Sequence, residues 1–126
     1  MTVYLICAGI VGLLAAVLTM NVGRMRTKKR IFLGDGGDKE MTAAIRAHGN
    51  LIEAAPLCLF LIYLMHGPYG DRWMAILAVL LVIARLAHAG GMLGYIPMGR
   101  AAGAITSTMV LGVAAAMLLV AGIRAF

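Results

Sequence analysis

The chain has 126 residues, of which 63% are hydrophobic and 13% charged, against roughly 25% charged in an average soluble domain. That balance excludes a soluble globular protein. The length allows one domain whose single copy encloses little interior, so self-association is expected. The net charge of +6 does not point to nucleic acid, because the basic residues gather beside one apolar segment instead of interleaving with aromatics over a face.

A helix needs roughly 20 apolar residues to span a bilayer, and four such stretches are predicted, over residues 3–22, 41–66, 73–94 and 101–123. The first has no basic segment ahead of it and no A-x-A site behind it, so it is expected to remain a membrane helix and not a cleaved signal. Cys7 and Cys58 fall inside apolar runs and read as small buried hydrophobes, with neither a disulfide nor a metal.

The first connection carries Arg24, Arg26, Lys28, Lys29, Arg30 and Lys39, while the opposite side has only Arg72 and Arg124. The positive-inside rule then places this connection in the cytoplasm and both termini outside it, with Arg100 on the cytoplasmic side. Tyr4, Tyr69 and Trp73 fall near the opposite boundary, where interfacial aromatics belong. Gly34-Asp35-Gly36-Gly37-Asp38-Lys39 lacks the G-x-x-x-x-G-K-[ST] spacing of a phosphate loop. It reads as a flexible turn in which Asp38 caps the second helix and Glu40 complements its positive end.

The second helix is the informative one. At about 100° per residue, Arg46, Asn50 and Glu53 share a narrow arc, with Thr42 one turn earlier and His48 nearly opposite. A charge near the bilayer centre costs a few kcal/mol even on a lenient scale, so this stripe must face protein, water or a ligand. A purely structural alternative is an internal ion pair with Asn50 bridging helices. Pro56 removes the hydrogen bond to the Ile52 carbonyl, which is expected to kink the helix and leave a polar pocket beside Glu53.

The turn at residues 66–71 is rich in helix breakers, and the third helix follows with Arg85 and, one turn later, His88. Glu53 is the one carboxylate expected inside a membrane helix, so an Arg85–Glu53 pair is predicted. His88 is a candidate proton donor or ligand-orienting group, or simply a hydrogen-bonding residue. With His48 and His66 on other segments, no metal-ligand spacing emerges. The third turn breaks at Pro97. Around it Gly90 with Gly94 and Gly99 with Gly103 have the spacing that permits close backbone approach, and Thr106, Ser107 and Thr108 are expected to bond locally to backbone carbonyls.

Arg46, Ala47, Asn50, Glu53 and Pro56 form the pattern R-A-x-x-N-x-x-E-x-x-P at the start of the second helix. With four spans and a basic first connection, the chain resembles the MAPEG superfamily, the membrane-associated proteins of eicosanoid and glutathione metabolism, and looks most like its small bacterial members. The resemblance covers nearly the whole chain. It implies an all-α, four-transmembrane-helix bundle assembling as a homotrimer in a bacterial inner membrane, with glutathione as co-substrate bound between subunits near the cytoplasmic face.

By position the resemblance gives Arg46, Asn50 and Glu53 contacts to glutathione, and places His48 where relatives carry a glutamine reaching the ligand from another face. Arg24 and Arg26 are candidates to complete the anion site. Arg100 matches the arginine that stabilises the thiolate in catalytic relatives, which makes it the expected catalytic residue. The departure is in the third helix, where relatives carry two tyrosines four residues apart and this chain has His88 and Met92. Tyr95, one turn on, is the available phenol. The substitution argues against a leukotriene or prostaglandin synthase.

Three functions compete. The first is a detoxifying glutathione transferase or peroxidase acting on hydrophobic electrophiles dissolved in the lipid bilayer. The second is a non-catalytic protein whose stripe binds a thiol, a lipid headgroup or a neighbouring subunit. A small proton-coupled exporter is the third, and it is disfavoured because such transporters carry their essential carboxylate in the first helix, which here has no acid.

Overall fold

The computed structural model describes residues 1–125 and contains four long helices in up-and-down order: α1 (Thr2–Lys29), α2 (Lys39–Leu64), α3 (His66–Met92) and α4 (Gly99–Arg124). Each is 26 to 28 residues long, which at about 1.5 Å per residue exceeds a hydrocarbon core of about 30 Å. All four are long and apolar enough to cross a membrane, with mean hydropathies of 2.4, 1.4, 1.9 and 2.2 in chain order. The chain is an integral membrane protein, and α2 is its most polar span because it carries the stripe.

The helices depart from the expected bounds at two points. α1 continues seven residues past the end of its apolar run, so that Arg24, Arg26, Lys28 and Lys29 ride on helix and not on a loop. It ends where Arg30 turns left-handed at φ 55° and the Ile31 N–H returns to the Arg26 carbonyl. The breaker-rich second turn is nearly helical: α2 stops at Leu64, α3 starts at His66, and the true break is Gly70, whose φ of 73° only glycine adopts freely.

The first connection is ordered by its own side chains. Asp38 caps α2, accepting from the Met41 N–H at 2.8 Å, and both its oxygens also accept from Lys29 Nζ at 2.7 Å. Glu40, in the first turn of α2, pairs with the same ammonium at 2.7 Å. Asp35 accepts from the Gly37 N–H and the Thr42 hydroxyl. These bonds hold the Asp35 and Asp38 carboxyls below the usual carboxylate range, through the Gly37 N–H for Asp35 and the Lys29 ammonium for Asp38 first of all.

α3 is the central helix. Half of its most apolar stretch is buried, against 17% to 28% in the other three, and it packs on α1, α2 and α4, while α1 and α4 do not meet among the described residues. The α3–α4 seam is the closest, because glycines remove the side chains that would separate the backbones. A Cβ on Gly103 would lie 2.6 Å from the His88 nitrogen, and one on Gly91 would strike the Arg100 backbone. Gly90 and Gly99 are similarly filled by Ile96, whereas Gly94 touches nothing and serves the turn with a φ of 82°. At the far end the phenols of Tyr4 and Tyr69 donate to the Leu59 and Met117 carbonyls, tying α1 to α2 and α3 to α4.

Candidate functional site

The most deeply buried charged group is Arg85, 4% exposed. Its Nε donates to Ser107 Oγ at 2.8 Å and its Nη1 to the Asn50 carbonyl at 3.2 Å, while Nη2 reaches the Gly103 carbonyl at 3.3 Å and the Ser107 hydroxyl. One guanidinium thus fastens α3 to both α2 and α4. The expected Arg85–Glu53 ion pair does not form. Arg85 is solvated by neutral oxygens instead, because the glycine seam brings the Gly103 carbonyl and Ser107 closer to it than the α2 carboxylate. Ser107 Oγ–H donates to the Gly103 carbonyl at 2.6 Å, the local bond expected of it, but it also accepts from Arg85 and is itself buried. Its importance was missed, since nothing in the sequence tells which α4 hydroxyl faces α3.

The α2 stripe lies elsewhere. Arg46 and Glu53 are exposed on the chain and Asn50 is half-buried, so the stripe is not enclosed by its own subunit. Asn50 Nδ2 donates back to the Arg46 carbonyl at 2.8 Å, which leaves its side-chain oxygen free to accept. Glu53 Oε1 lies over Gly49, 3.7 Å from where a Cβ would sit, which is ordinary van der Waals contact. Neither Arg46 nor Glu53 forms an ion pair among the described residues.

Two adjoining cavities follow the stripe along the groove between α2 and α4, with α3 as the floor. The larger, about 730 Å³, is lined by Thr42, Arg46, Asn50, His88 and Arg100 together with the apolar Met92 and Met98. The second, about 240 Å³, lies further along α2 and adds Glu53, Cys58, Arg85 and Ser107. Asn50, His88 and Ala104 line both, so they form one trench. Its outer half is cationic, with Arg46 on one wall and Arg100 on the other. Its inner half has a carboxylate on one wall and the Arg85 guanidinium in the floor.

The trench therefore brings together Arg46, Asn50, Glu53, Arg85, His88 and Arg100. Four other candidates lie outside it. His48 bonds Thr19 through Nε2 at 3.0 Å and belongs to the α1–α2 contact, as its position opposite the stripe implies. Arg26 donates to the Ile31 and Gly34 carbonyls, both at 3.1 Å, and is spent on closing the first connection. Arg24 and Tyr95 line a different hollow, between the ends of α1, α2 and α3 that lie at the first connection. The turn after Met92 carries Tyr95 away from the trench of its own chain. Pro56 and Ile52 line an apolar hollow against α1, and the polar cavity beside Glu53 is lined from α3 and α4 instead.

The trench joins Arg46, Asn50 and Glu53 of the R-A-x-x-N-x-x-E pattern to Arg85 and His88 of α3 and Arg100 of α4. Over 77 residues, 60% of the chain, the sequence is 36% identical to the inner membrane protein YecN of Escherichia coli K12, and equally to YecN of Escherichia coli O6:H1. The matched stretch covers 59% of those proteins, less than two thirds of their length. The model of the MAPEG family matches residues 4–120, and with that coverage of four spans and trench alike the chain belongs to the MAPEG family.

Proposed function

We propose that the trench binds glutathione and that the protein is a membrane glutathione transferase or peroxidase acting on hydrophobic electrophiles drawn from the bilayer. The observation that carries this reading is the gathering of Arg46, Asn50, Glu53, His88 and Arg100 along one open groove. Its larger lobe, about 730 Å³, lies within the roughly 300–1,000 Å³ typical of small-molecule sites.

The donor set suits the tripeptide. Glutathione offers two carboxylates and one ammonium, and the trench offers guanidinium forks at its outer half and one carboxylate further in. Asn50 can accept from a peptide N–H through its free oxygen. Arg100 beside the thiol favours the thiolate over a thiol whose pKa is otherwise about 8.5. With an aryl chloride the thiolate sulfur attacks the ring carbon, the C–S bond forms, the C–Cl bond breaks and chloride leaves, while the thiol proton passes to solvent.

An open groove lined by Arg46 and Glu53 would face lipid in a lone subunit, at a cost of a few kcal/mol per charge. A neighbouring copy covers it in the assembly we propose, a homotrimer, whose cyclic symmetry brings a different face of the next subunit to each trench. The basic first connection then lies in the cytoplasm, with both termini on the other side. Detergent-purified protein given glutathione and 1-chloro-2,4-dinitrobenzene should turn over, with Arg100→Ala losing about a hundredfold in kcat/KM. Unchanged kcat/KM in that variant contradicts the role of Arg100.

A second reading has one observation in its favour: no phenol lines the trench, where Met92 takes a wall and Tyr95 lies in another hollow. A protein that binds glutathione, or a lipid headgroup, without catalysis fits that lining. Glutathione-dependent thermal stabilisation without turnover across several electrophiles selects it.

A further inference from the structure

Arg85 and Glu53 line the same inner lobe of the trench, about 240 Å³, and yet no ion pair joins them. Reach is not what separates the two elements. Arg85 Nη1 sits 3.2 Å from the Asn50 carbonyl, and a helical carbonyl points along the axis toward the residues three and four further on, the first of which here is Glu53. Opposite charges lining one poorly hydrated lobe of a membrane protein ordinarily pair. A competing set of bonds must therefore hold the guanidinium where it is.

The centre of that set is Ser107, which is buried at 3% exposure. A hydroxyl has one hydrogen and two lone pairs, and all three are used. The hydrogen goes to the Gly103 carbonyl at 2.6 Å, while the oxygen accepts from Arg85 Nε at 2.8 Å and from Nη2. Donation to Gly103 fixes the rotor, so both lone pairs face the guanidinium. The Gly103 carbonyl takes Nη2 as well, at 3.3 Å. One edge of Arg85 is thus fastened to α4, and Glu53 turns the other way, back along α2 with Oε1 over Gly49. Arginine cannot shed its charge to suit a buried place, so these neutral oxygens stand where a carboxylate would otherwise be drawn, and the carboxylate stays unspent.

We infer that Ser107 is a positioning residue: it holds Arg85 off Glu53 and so keeps one unpaired carboxylate in the inner lobe for the primary ammonium group of a ligand. The inference rests on the reading of the trench as a glutathione site and adds what selects the ligand there, a free amino group in addition to the carboxylates and the thiol. Ser107 acts through Arg85. Without its hydroxyl, Arg85 loses the acceptor of two bonds, and Glu53 becomes the strongest acceptor lining the same lobe. Pairing of the two would neutralise the lobe from within and remove the place for the ammonium.

The test uses the full chain in detergent and two ligands, glutathione and glutaryl-cysteinyl-glycine, the same tripeptide without the ammonium, each titrated by calorimetry. Wild type should prefer glutathione roughly tenfold, the effect of one charge-assisted hydrogen bond. Ser107→Ala should weaken glutathione by about five- to tenfold and leave the analogue within about twofold, so that the preference disappears. Melting without ligand is the second arm: Glu53→Gln should leave wild type unchanged but lower the melting temperature of Ser107→Ala by a few degrees, because only there does Glu53 hold Arg85. Ser107→Cys, close in size and a weak acceptor, replaces Ser107→Ala in both arms if the alanine variant does not fold. Equal weakening of both ligands marks a general structural role and overturns the inference. So does a wild type that binds the two ligands alike, or a Glu53→Gln effect on melting that is the same in both backgrounds. A wild type that binds neither ligand contradicts the glutathione reading instead, and the melting cycle, which contains no ligand, still decides whether Ser107 keeps Arg85 from Glu53.

Discussion

Two arginines set the two halves of this molecule against each other. Arg85, in the α3–α4 seam, is surrounded by acceptors from its own chain and closes the bundle around itself. Arg46, one turn from the Asn50 carbonyl that Arg85 uses, is exposed on the edge of α2 with no acidic partner among the described residues. The same residue type is a structural bolt in one place and an open valence in the other. A single chain satisfies the Arg85 guanidinium and leaves Arg46 and Glu53 without an ionic partner among its described residues, and these two family-pattern residues lie on the open side.

Substitutions can break that contrast from either side. Arg85→Ala is expected to have the largest effect on the fold, since it strands the Asn50 carbonyl and one acceptor site on Ser107 and leaves a cavity at a three-helix junction. About 3 kcal/mol or more is the expected loss, read from thermal or denaturant unfolding in detergent. Gly103→Ala tests the seam that delivers those acceptors. Its methyl meets the His88 nitrogen and the Ala84 carbonyl, both backbone, so helix propensity gained from alanine is outweighed and roughly 1–3 kcal/mol is lost.

Arg46→Ala and Glu53→Gln should behave oppositely, with stability in detergent without ligand changed by less than about 0.5 kcal/mol, as at exposed sites. What they should lose is the rise in melting temperature produced by glutathione, by about tenfold in apparent affinity. If Arg46→Ala unfolds the protein as Arg85→Ala does, the two arginines are not different in kind.

The smallest effect belongs to the first connection. The Asp38 carboxylate is held below its ordinary range chiefly by Lys29, so its contribution is complete above the ordinary aspartate pKa of about 3.9 and is lost as pH falls through the lower folded-state value. The cap bond to the Met41 N–H should slow amide exchange at Met41 near neutral pH, and Asp38→Asn should accelerate it by several-fold. An exchange rate indifferent to that substitution contradicts the cap as the source of order in this turn.

How far the sequence carried the reading also divides along this line. Four spans were legible because twenty-residue apolar runs have no soluble use, and the Asp38 cap was legible because it is a local, four-residue device. The partner of Arg85 was not, since backbone carbonyls have no signature in a sequence and the Gly103 and Asn50 oxygens are found only once the helices are packed. Helical spacing put Arg46, Asn50 and Glu53 on one face but not on the outside of the subunit, because an arc on one helix does not say which neighbour meets it. Arg24, Arg26 and Tyr95 came from the resemblance and from spacing along the chain, and within one chain the fold puts Arg26 on the first connection and Arg24 and Tyr95 at a hollow outside the trench.

The most direct measurement of the central claim is an experimental structure of the purified assembly with glutathione. Density for the tripeptide contacting Arg46, Asn50 and Glu53 of one subunit, with a second copy closing the α2–α4 groove, is the predicted result. A groove that opens to the surrounding lipid or detergent, empty of glutathione at saturating concentration, contradicts it.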